Sequence, residues 1–544
     1  SLKLKACSRK QASIGMLSYP STAALAHPAE AASSSSRLYS RRGCLDIKSP
    51  RGTWSRALVA VPIAAAVGRR TRGRHATRKH RLVLAAAGSG STELPRSRLS
   101  KQIPEECDVV VIGAGLGGLA CAAALAQTGR SVVVLEAHTE VGGCAHAFTR
   151  KAPNGGEYIF DSGPSIVTEM GTQNPLRQAL EYVGAAKYLE WVHYDGWGML
   201  TPEGPWKFCL GPTDFREKVL PRYDVPAAEL DAVIEATRPL AQTGYSIPGL
   251  VLRDDAWQLL LLLAKFPGGV IPAIRDAPLL SEPFSGVLDK LEAEGKLRKG
   301  SWLRAWMDAL AFSLSGLDCS GTTTAAMSFT VDELHRAGSR GLAYPVGGMG
   351  AVVEAMAKAV EDHGGDVVTG ARVTEIVLED VPGESKGGSA SSSPGRRATG
   401  VRYGPNGRHL LRCRENVVCN AAVWDAAGLV NGGENGVVED LQKDWRSTPM
   451  TRSYLHLHVG LDADGLDLSR LEPHYTHMEN WDDVTGEMNM VALSNPCLLD
   501  PSLAPEGKLT VHLYCAGNEP FEIWEAAQKG GRKAYEELKE ARAE

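Results

Sequence analysis

The chain has 544 residues, enough for two or three domains, with 43% apolar and only 6% aromatic residues. Its net charge of −4 hides an asymmetry: residues 1–100 carry 19 Lys/Arg and 3 Asp/Glu, the remainder 40 and 60, so an acidic body excludes general nucleic-acid binding. Eleven cysteines show no Cys-x-x-Cys and no paired spacing, which excludes a zinc site and a disulfide framework and predicts buried thiols in a reducing compartment.

Residues 1–104 read as a basic targeting leader, largely disordered: rich in Ser, Ala and Arg and almost free of acids. The apolar run Ala57–Val67 contains Pro62 and is too short to span a bilayer. Arg69-Arg-Thr-Arg-Gly-Arg74 follows, and Leu82–Ala87 resembles a processing region. The expected address is the plastid, with the mitochondrion as alternative.

Residues 105–174 form the first segment of a dinucleotide-binding domain. Asp108–Ile112 is a short β-branched run suited to a buried parallel strand. Gly113, Gly115 and Gly118 follow with the Gly-x-Gly-x-x-Gly spacing, and Leu116–Thr128 is a helix that Gly129 stops. Gly113 permits the tight turn, Gly115 lets a pyrophosphate approach the backbone, and Gly118 allows close helix–strand packing. The helix offers its free N–H groups to phosphate. Val132–Leu135 is the second strand, and Glu136 closes it where a carboxylate can accept from ribose hydroxyls and disfavour a 2′-phosphate. Gly142-Gly143 past this acid marks a second contact typical of FAD rather than nicotinamide proteins. Cys144 reads as a small packing residue. His146 is a candidate acid or base, and the turn at Ser162-Gly163-Pro164 a candidate neighbour of the isoalloxazine.

Residues 175–335 read as mostly helical, a substrate- and membrane-facing domain with loops at Gly211–Phe215 and Ser313–Gly321. The run Leu259–Leu263 is too short for a transmembrane helix and reads as a buried core helix, with a membrane-surface or tunnel role as alternative. Residues 336–430 return to the cofactor domain. Gly347-Gly348-Met-Gly350 opens a helix that His363-Gly-Gly365 stops, and Asp366–Val368 and Arg372–Leu378 are strands. Residues 382–397 are a low-complexity loop expected to be disordered, and Val417–Asn420 returns toward the cofactor. Residues 431–544 continue the substrate domain. Ser453–Val459 is a strand whose His456 and His458 share one face, in a structural or pocket-lining role. Two histidines do not make a metal site, so none is expected. Gln528–Glu544 reads as a charged helix.

These segments resemble the carotenoid isomerase (prolycopene isomerase) family, within the phytoene desaturase-like FAD-dependent oxidoreductases. The matching stretches are Val111–Leu119, Gly142–Phe148, Phe160–Ser165, Gly211–Phe215, Leu314–Leu317 and Tyr344–Gly348, then Ser453–His458, Leu503–Lys508 and Glu519–Trp524. The resemblance implies an α/β fold: a Rossmann-type FAD-binding domain built from separated segments, with an interleaved α+β substrate domain. It implies FAD, active when reduced, held by Gly113, Gly115, Gly118, Glu136, Gly142, Gly143 and Gly163, with the backbone of Val373 on the adenine. It implies redox-neutral cis-to-trans conversion of a long apolar polyene by an enzyme peripheral to a plastid membrane. Cys144 stands where desaturases usually carry Arg, which favours the isomerase or retinol-saturase branches. The family's closing glycine-rich segment has no match before Glu544, so truncation or loss of that segment is expected. A carotene desaturase or retinol-saturase-like redox enzyme, and a non-catalytic flavin- or pigment-binding relative in a plastid membrane complex, are the alternatives. No catalytic acid or base is assigned.

Overall fold

The structure is a computed structural model that describes residues 103–543 apart from 154, 169, 171–173, 247–263, 266, 340, 382–394 and 431–436. The leader up to residue 102, the run Leu259–Leu263 and most of the low-complexity loop lie outside the described residues.

The first strands in chain order are β1 Glu106–Ile112, β2 Val132–Leu135, β3 Ala147–Lys151, β4 Glu157–Asp161, β5 Trp191–His193 and β6 Gly196–Leu200. They continue as β7 Trp206–Cys209, β8 Ala343–Pro345, β9 Asp366–Val368, β10 Val373–Val381, β11 Gly395–Tyr403 and β12 His409–Cys419. The last four are β13 Ser453–Asp462, β14 His474–Met478, β15 Met490–Ser494 and β16 Lys508–Glu519. The helices that position the site are α1 Leu116–Gln127, α2 Ala227–Ser246, α3 Trp302–Ser315, α4 Thr324–His335 and α5 Met349–Asp362.

One six-stranded sheet runs β10-β11-β12-β1-β2-β9, with β12, β1, β2 and β9 parallel and β10-β11-β12 an antiparallel meander. Strand β1 is apolar on both sides because both sides are covered. Val109 and Val111 pack with Leu119 and Ala122 of α1 and Val352 and Met356 of α5. Val110 and Ile112 face Ile376, Val401 and Leu411 instead. Each fully buried aliphatic side chain contributes roughly 1.5–3 kcal/mol. The sheet is thus assembled from segments more than 200 residues apart, as the separated-segment reading expects.

Two expectations change in this half. Residues 395–397, expected in the disordered loop, begin β11: Gly395 pairs with Val381, Arg396 with Asp380 and Arg397 with Glu379. Arg396 lies 3.1 Å from the Asp380 carboxylate, so opposite charges across the strands favour this register. The run from His409 and the stretch that returns toward the cofactor as far as Cys419 are one strand, β12. It pairs antiparallel with β11 up to Arg412 and parallel with β1 from there, and the change of partner is what makes the sequence read as two runs.

A second six-stranded sheet runs β13-β16-β15-β14-β6-β7, antiparallel except for β14 beside β6. Strands β5, β6 and β7 fall in residues 175–335, expected to be mostly helical. Each has five residues or fewer, too short for a period to register beside long helices. Helices α2, α3 and α4 enclose an aromatic core with β7: Trp206, Phe208, Phe215 and Trp306 are all buried there. The helix expected over Gln528–Glu544 is broken: helices span Phe521–Lys529 and Arg532–Ala543, and Gly531 between them adopts φ +91°.

Candidate functional site: two glycine turns and a facing sheet

At the end of β1 the chain turns through Gly113 at φ +95°, a conformation that favours glycine. A Cβ on Gly118 would lie 2.1 Å from the Gly113 carbonyl oxygen, so no side chain fits there. Helix α1 starts at Gly115 with no side-chain cap, and the first amide bonded back into it is Leu119 N–H to Gly115 O at 2.9 Å. The amides before Leu119 are the ones available to an anion. The second turn folds onto the first: Gly142 N–H donates to Ala114 O at 2.7 Å, and Gly115 and Gly142 form a parallel bridge. A Cβ on Gly142 (φ +117°) would meet Val353 at 2.8 Å, and one on Gly143 would lie 3.4 Å from Gly115 Cα. Gly117, Gly143 and Cys144 remain exposed, as does Asn420, so this seat is open.

The Glu136 carboxylate is already engaged: Oε2 accepts from Ala114 N–H at 2.7 Å and Oε1 from His138 N–H at 2.8 Å. Each oxygen keeps a lone pair, so the expected ribose contact is compatible with this anchoring. The Glu136 carbonyl accepts from Ala371 N–H at 2.7 Å, which brings Val373, at the start of β10, to the same edge of the sheet. Gly163 packs on the second turn, where a Cβ would lie 2.4 Å from Cys144 O. All eight residues expected to contact the cofactor therefore sit along one connected edge. Asn420, the end of the stretch expected to return toward the cofactor, reaches this edge: its side-chain amide lies within 3.1 Å of the Cβ positions of Gly115, Gly117 and Gly118.

His146 Nδ1 lies 2.7 Å from Gly143 O and 3.0 Å from Ser162 Oγ, which ties the imidazole to both turns. Burial pushes its pKa down, so it stands neutral at pH 7. The turn at Gly347-Gly348, which opens α5 as expected, is closed by protein groups. Asp161 Oδ1 accepts from Met349 N–H at 2.8 Å and Asp500 from Gly347 N–H at 2.7 Å, so carboxylates of the chain take the place of a phosphate. Asp161 also accepts from Tyr344 O–H at 2.7 Å. Burial outweighs these bonds and lifts its pKa to about 6.

The second sheet faces this edge with its polar side. Along β13, Tyr454, His456 and His458 alternate with Leu455, Leu457 and Val459; along β16, His512 and Tyr514 alternate with Val511 and Leu513. His458 Nε2 lies 2.9 Å from Asp161 O, and its ring meets Phe148 and Phe160 edge-on. His512 bridges His456 (2.8 Å) and Ser165 Oγ (3.3 Å). His456 and His458 thus share a face as expected, and His512, unnoticed in the sequence, links them to the cofactor domain. Burial drives the His456 pKa to about 4 and pushes that of His512 well below the usual imidazole range, so both imidazoles are neutral. Among the described residues, no group of three or more His, Cys, Asp or Glu is placed to hold a metal ion.

A dinucleotide needs bare amides at a helix start, room where side chains would intrude and an acid at the next strand end. The two turns supply all three, and the edge fits an FAD.

Comparison with known proteins agrees. The family described as flavin containing amine oxidoreductase matches residues 116–427. Prolycopene isomerase 1 of an Oncidium hybrid cultivar is 27% identical over 449 residues, 80% of this chain and 68% of that protein. The Arabidopsis thaliana prolycopene isomerase is 25% identical over 453 residues, 80% of this chain and 66% of that protein. Human all-trans-retinol 13,14-reductase is 26% identical over 469 residues, 81% of this chain and 70% of that protein. These matches bear out the resemblance read from the motifs and place a reductase at comparable identity. A crystal structure of an oxidoreductase from Methanosarcina mazei aligns over 80% of this chain and 84% of that one, at 18% identity and a TM-score of 0.48.

Proposed function

The chain belongs to the flavin-containing amine oxidoreductase family, and we propose that within it the chain uses FAD to convert poly-cis polyenes of the carotene type to trans isomers. The observation that carries this reading is the 25–27% identity to prolycopene isomerases across 80% of the chain. The open edge formed by the two glycine turns supports it.

In this reading Gly115, Gly118 and the start of α1 hold the pyrophosphate, Glu136 the ribose and the Val373 backbone the adenine. Gly142, Gly143 and Gly163 clear space for the flavin ring. When bound, the reduced flavin supplies electron density that lowers the bond order of a polyene double bond. The chain's own residues position the polyene and exclude water. The ring-lined face carrying Tyr454, His456 and Tyr514 offers flat, neutral surfaces for a conjugated chain to lie on. His146 keeps a neutral imidazole beside the second turn and is given no proton-transfer role.

Chloroplastic relatives support a plastid address, and a water-insoluble substrate supports peripheral membrane attachment. Among the described residues no helix is long and apolar enough to cross a membrane.

A second reading, reduction of a polyene double bond, is favoured by the match to the human reductase. The two separate on product mass. The protein is incubated anaerobically with chemically reduced FAD and a poly-cis carotene in liposomes, and products are resolved by chromatography with mass detection. An all-trans product of unchanged mass, dependent on protein and reduced FAD, is expected. A gain of two hydrogens selects the reductase, and no conversion by FAD-loaded protein refutes both.

A further inference from the structure

Four neighbouring strands carry one polar residue each in a single cross-strand row. His458 on β13 pairs with His512 on β16, His512 with Ser494 on β15, and Ser494 with His474 on β14. The row begins at the cofactor domain, where His458 meets Asp161 and His512 meets Ser165. It ends at His474, whose ring lies 5.2 Å from that of Tyr194.

That end is chemically unfinished. His474 is 1% exposed, and its Nδ1 lies 3.0 Å from Ser494 Oγ. Its Nε2 and the Tyr194 hydroxyl are both buried, with no hydrogen-bond partner among the described residues. The buried indole N–H groups of Trp302 and Trp306 are also unpartnered, but they are donors packed among aromatic rings, which accept weakly. A phenol and an imidazole side by side are different, because between them they can donate and accept. No nearby charge perturbs the His474 imidazole; burial alone holds it neutral. Among the described residues no charged group is placed to pair with a carboxylate or an ammonium at this imidazole.

We infer that Tyr194 and His474 anchor a neutral oxygen function, a hydroxyl or a carbonyl, at one end of the polyene substrate. A hydroxyl can accept from one of the two groups and donate to the other. A carbonyl can accept from both when Ser494 Oγ–H donates to His474 Nδ1. The anchor lies two strand spacings, about 10 Å, from His512, along the same row that meets Ser165 and the cofactor edge. This rests on the polyene reading above, keeps its chemistry and adds polyenes with an oxygen at one end to its substrates.

Binding, not turnover, tests it. The full chain is titrated with all-trans-retinol, its aldehyde, its acid and the matching hydrocarbon without oxygen, and Kd is read from quenching of tryptophan fluorescence. The same titrations use Tyr194→Phe, which removes only the hydroxyl, and His474→Asn, which keeps a group facing Ser494 but removes Nε2. Wild type is expected to bind the alcohol or the aldehyde about tenfold more tightly than the hydrocarbon, the size of one net hydrogen bond, and the acid no better. Both variants are expected to lose that preference while binding the hydrocarbon as wild type does, which also shows that they are folded. Equal binding of alcohol, aldehyde and hydrocarbon by wild type overturns the inference and leaves the function standing; a buried water as sole occupant gives that result. A preference that survives in both variants overturns it as well. Failure to bind any polyene overturns the anchor and the polyene function together.

Discussion

The two six-stranded sheets solve opposite problems. The cofactor sheet is aliphatic on both faces, and its site is made of backbone: bare amides at the start of α1, two positive-φ glycine turns and one carboxylate held by backbone N–H groups. The second sheet is divided, with leucines and valines on one face and histidines and tyrosines on the other. Its site is made of side chains drawn from several strands. A backbone site tolerates little change in shape, whereas a side-chain site can be retuned one atom at a time. Substitutions should therefore be drastic in the first region and graded in the second.

The largest effect is expected at Gly118→Ala. A methyl group 2.1 Å from the Gly113 carbonyl oxygen must push the turn off β1. The cost is about 3 kcal/mol, and FAD should be lost from the purified protein, read from flavin absorbance against protein concentration. A variant that keeps stoichiometric FAD would break the contrast between the two regions.

Next is Glu136→Gln. The amide nitrogen of glutamine would face Ala114 N–H or His138 N–H, where only an acceptor fits. Losing one charge-assisted bond costs roughly 1.5–3 kcal/mol, so FAD affinity should fall at least tenfold in a fluorescence titration.

Asp161 sharpens the comparison because it joins the two regions. Its carboxylate closes the start of α5 and its carbonyl meets His458. The folded-state pKa is raised, from 3.8 to about 6, so the protonated form is the one the fold favours. Its stabilisation is complete below about pH 4 and is lost as pH rises through about 6, a change of roughly 3 kcal/mol. The difference in Tm between wild type and Asp161→Asn should therefore shrink from pH 4 to pH 7. A constant difference would show that Asp161 does not titrate in that window.

The smallest effect is expected at Gly129→Ala. The glycine has φ +88°, but its Cβ position is open, so only the backbone conformation is strained. About 1 kcal/mol of stability should be lost with FAD binding unchanged. A loss of FAD here would mean that any glycine substitution in this half does the same.

The same division explains what could be read in advance. Gly113, Gly115, Gly118 and Glu136 were legible because a turn, a helix start and a strand end are local, and their spacing is their chemistry. Val373 was legible only through a resemblance, since nothing local says that β10 returns to Glu136. Asp161 was visible as a residue but not as the group that closes Gly348, because the two meet only after folding. The alternation of His512 and Tyr514 with Val511 and Leu513 could have been found at period two. That His512 pairs with His458 and leads to His474 could not, because strand order in the second sheet follows no sequence period. The short strands β6 and β7, hidden among helices, supply part of that order.

The most direct test of the proposed chemistry is the carotene incubation repeated in heavy water with reduced FAD under anaerobic conditions. Isomerisation by lowered bond order requires an all-trans product with the substrate's mass and no deuterium on carbon. A product that has gained two hydrogens across a double bond, as deuterium, would contradict it and make the protein a polyene reductase, and a product with deuterium exchanged for hydrogen would contradict it by showing isomerisation through protonation of carbon.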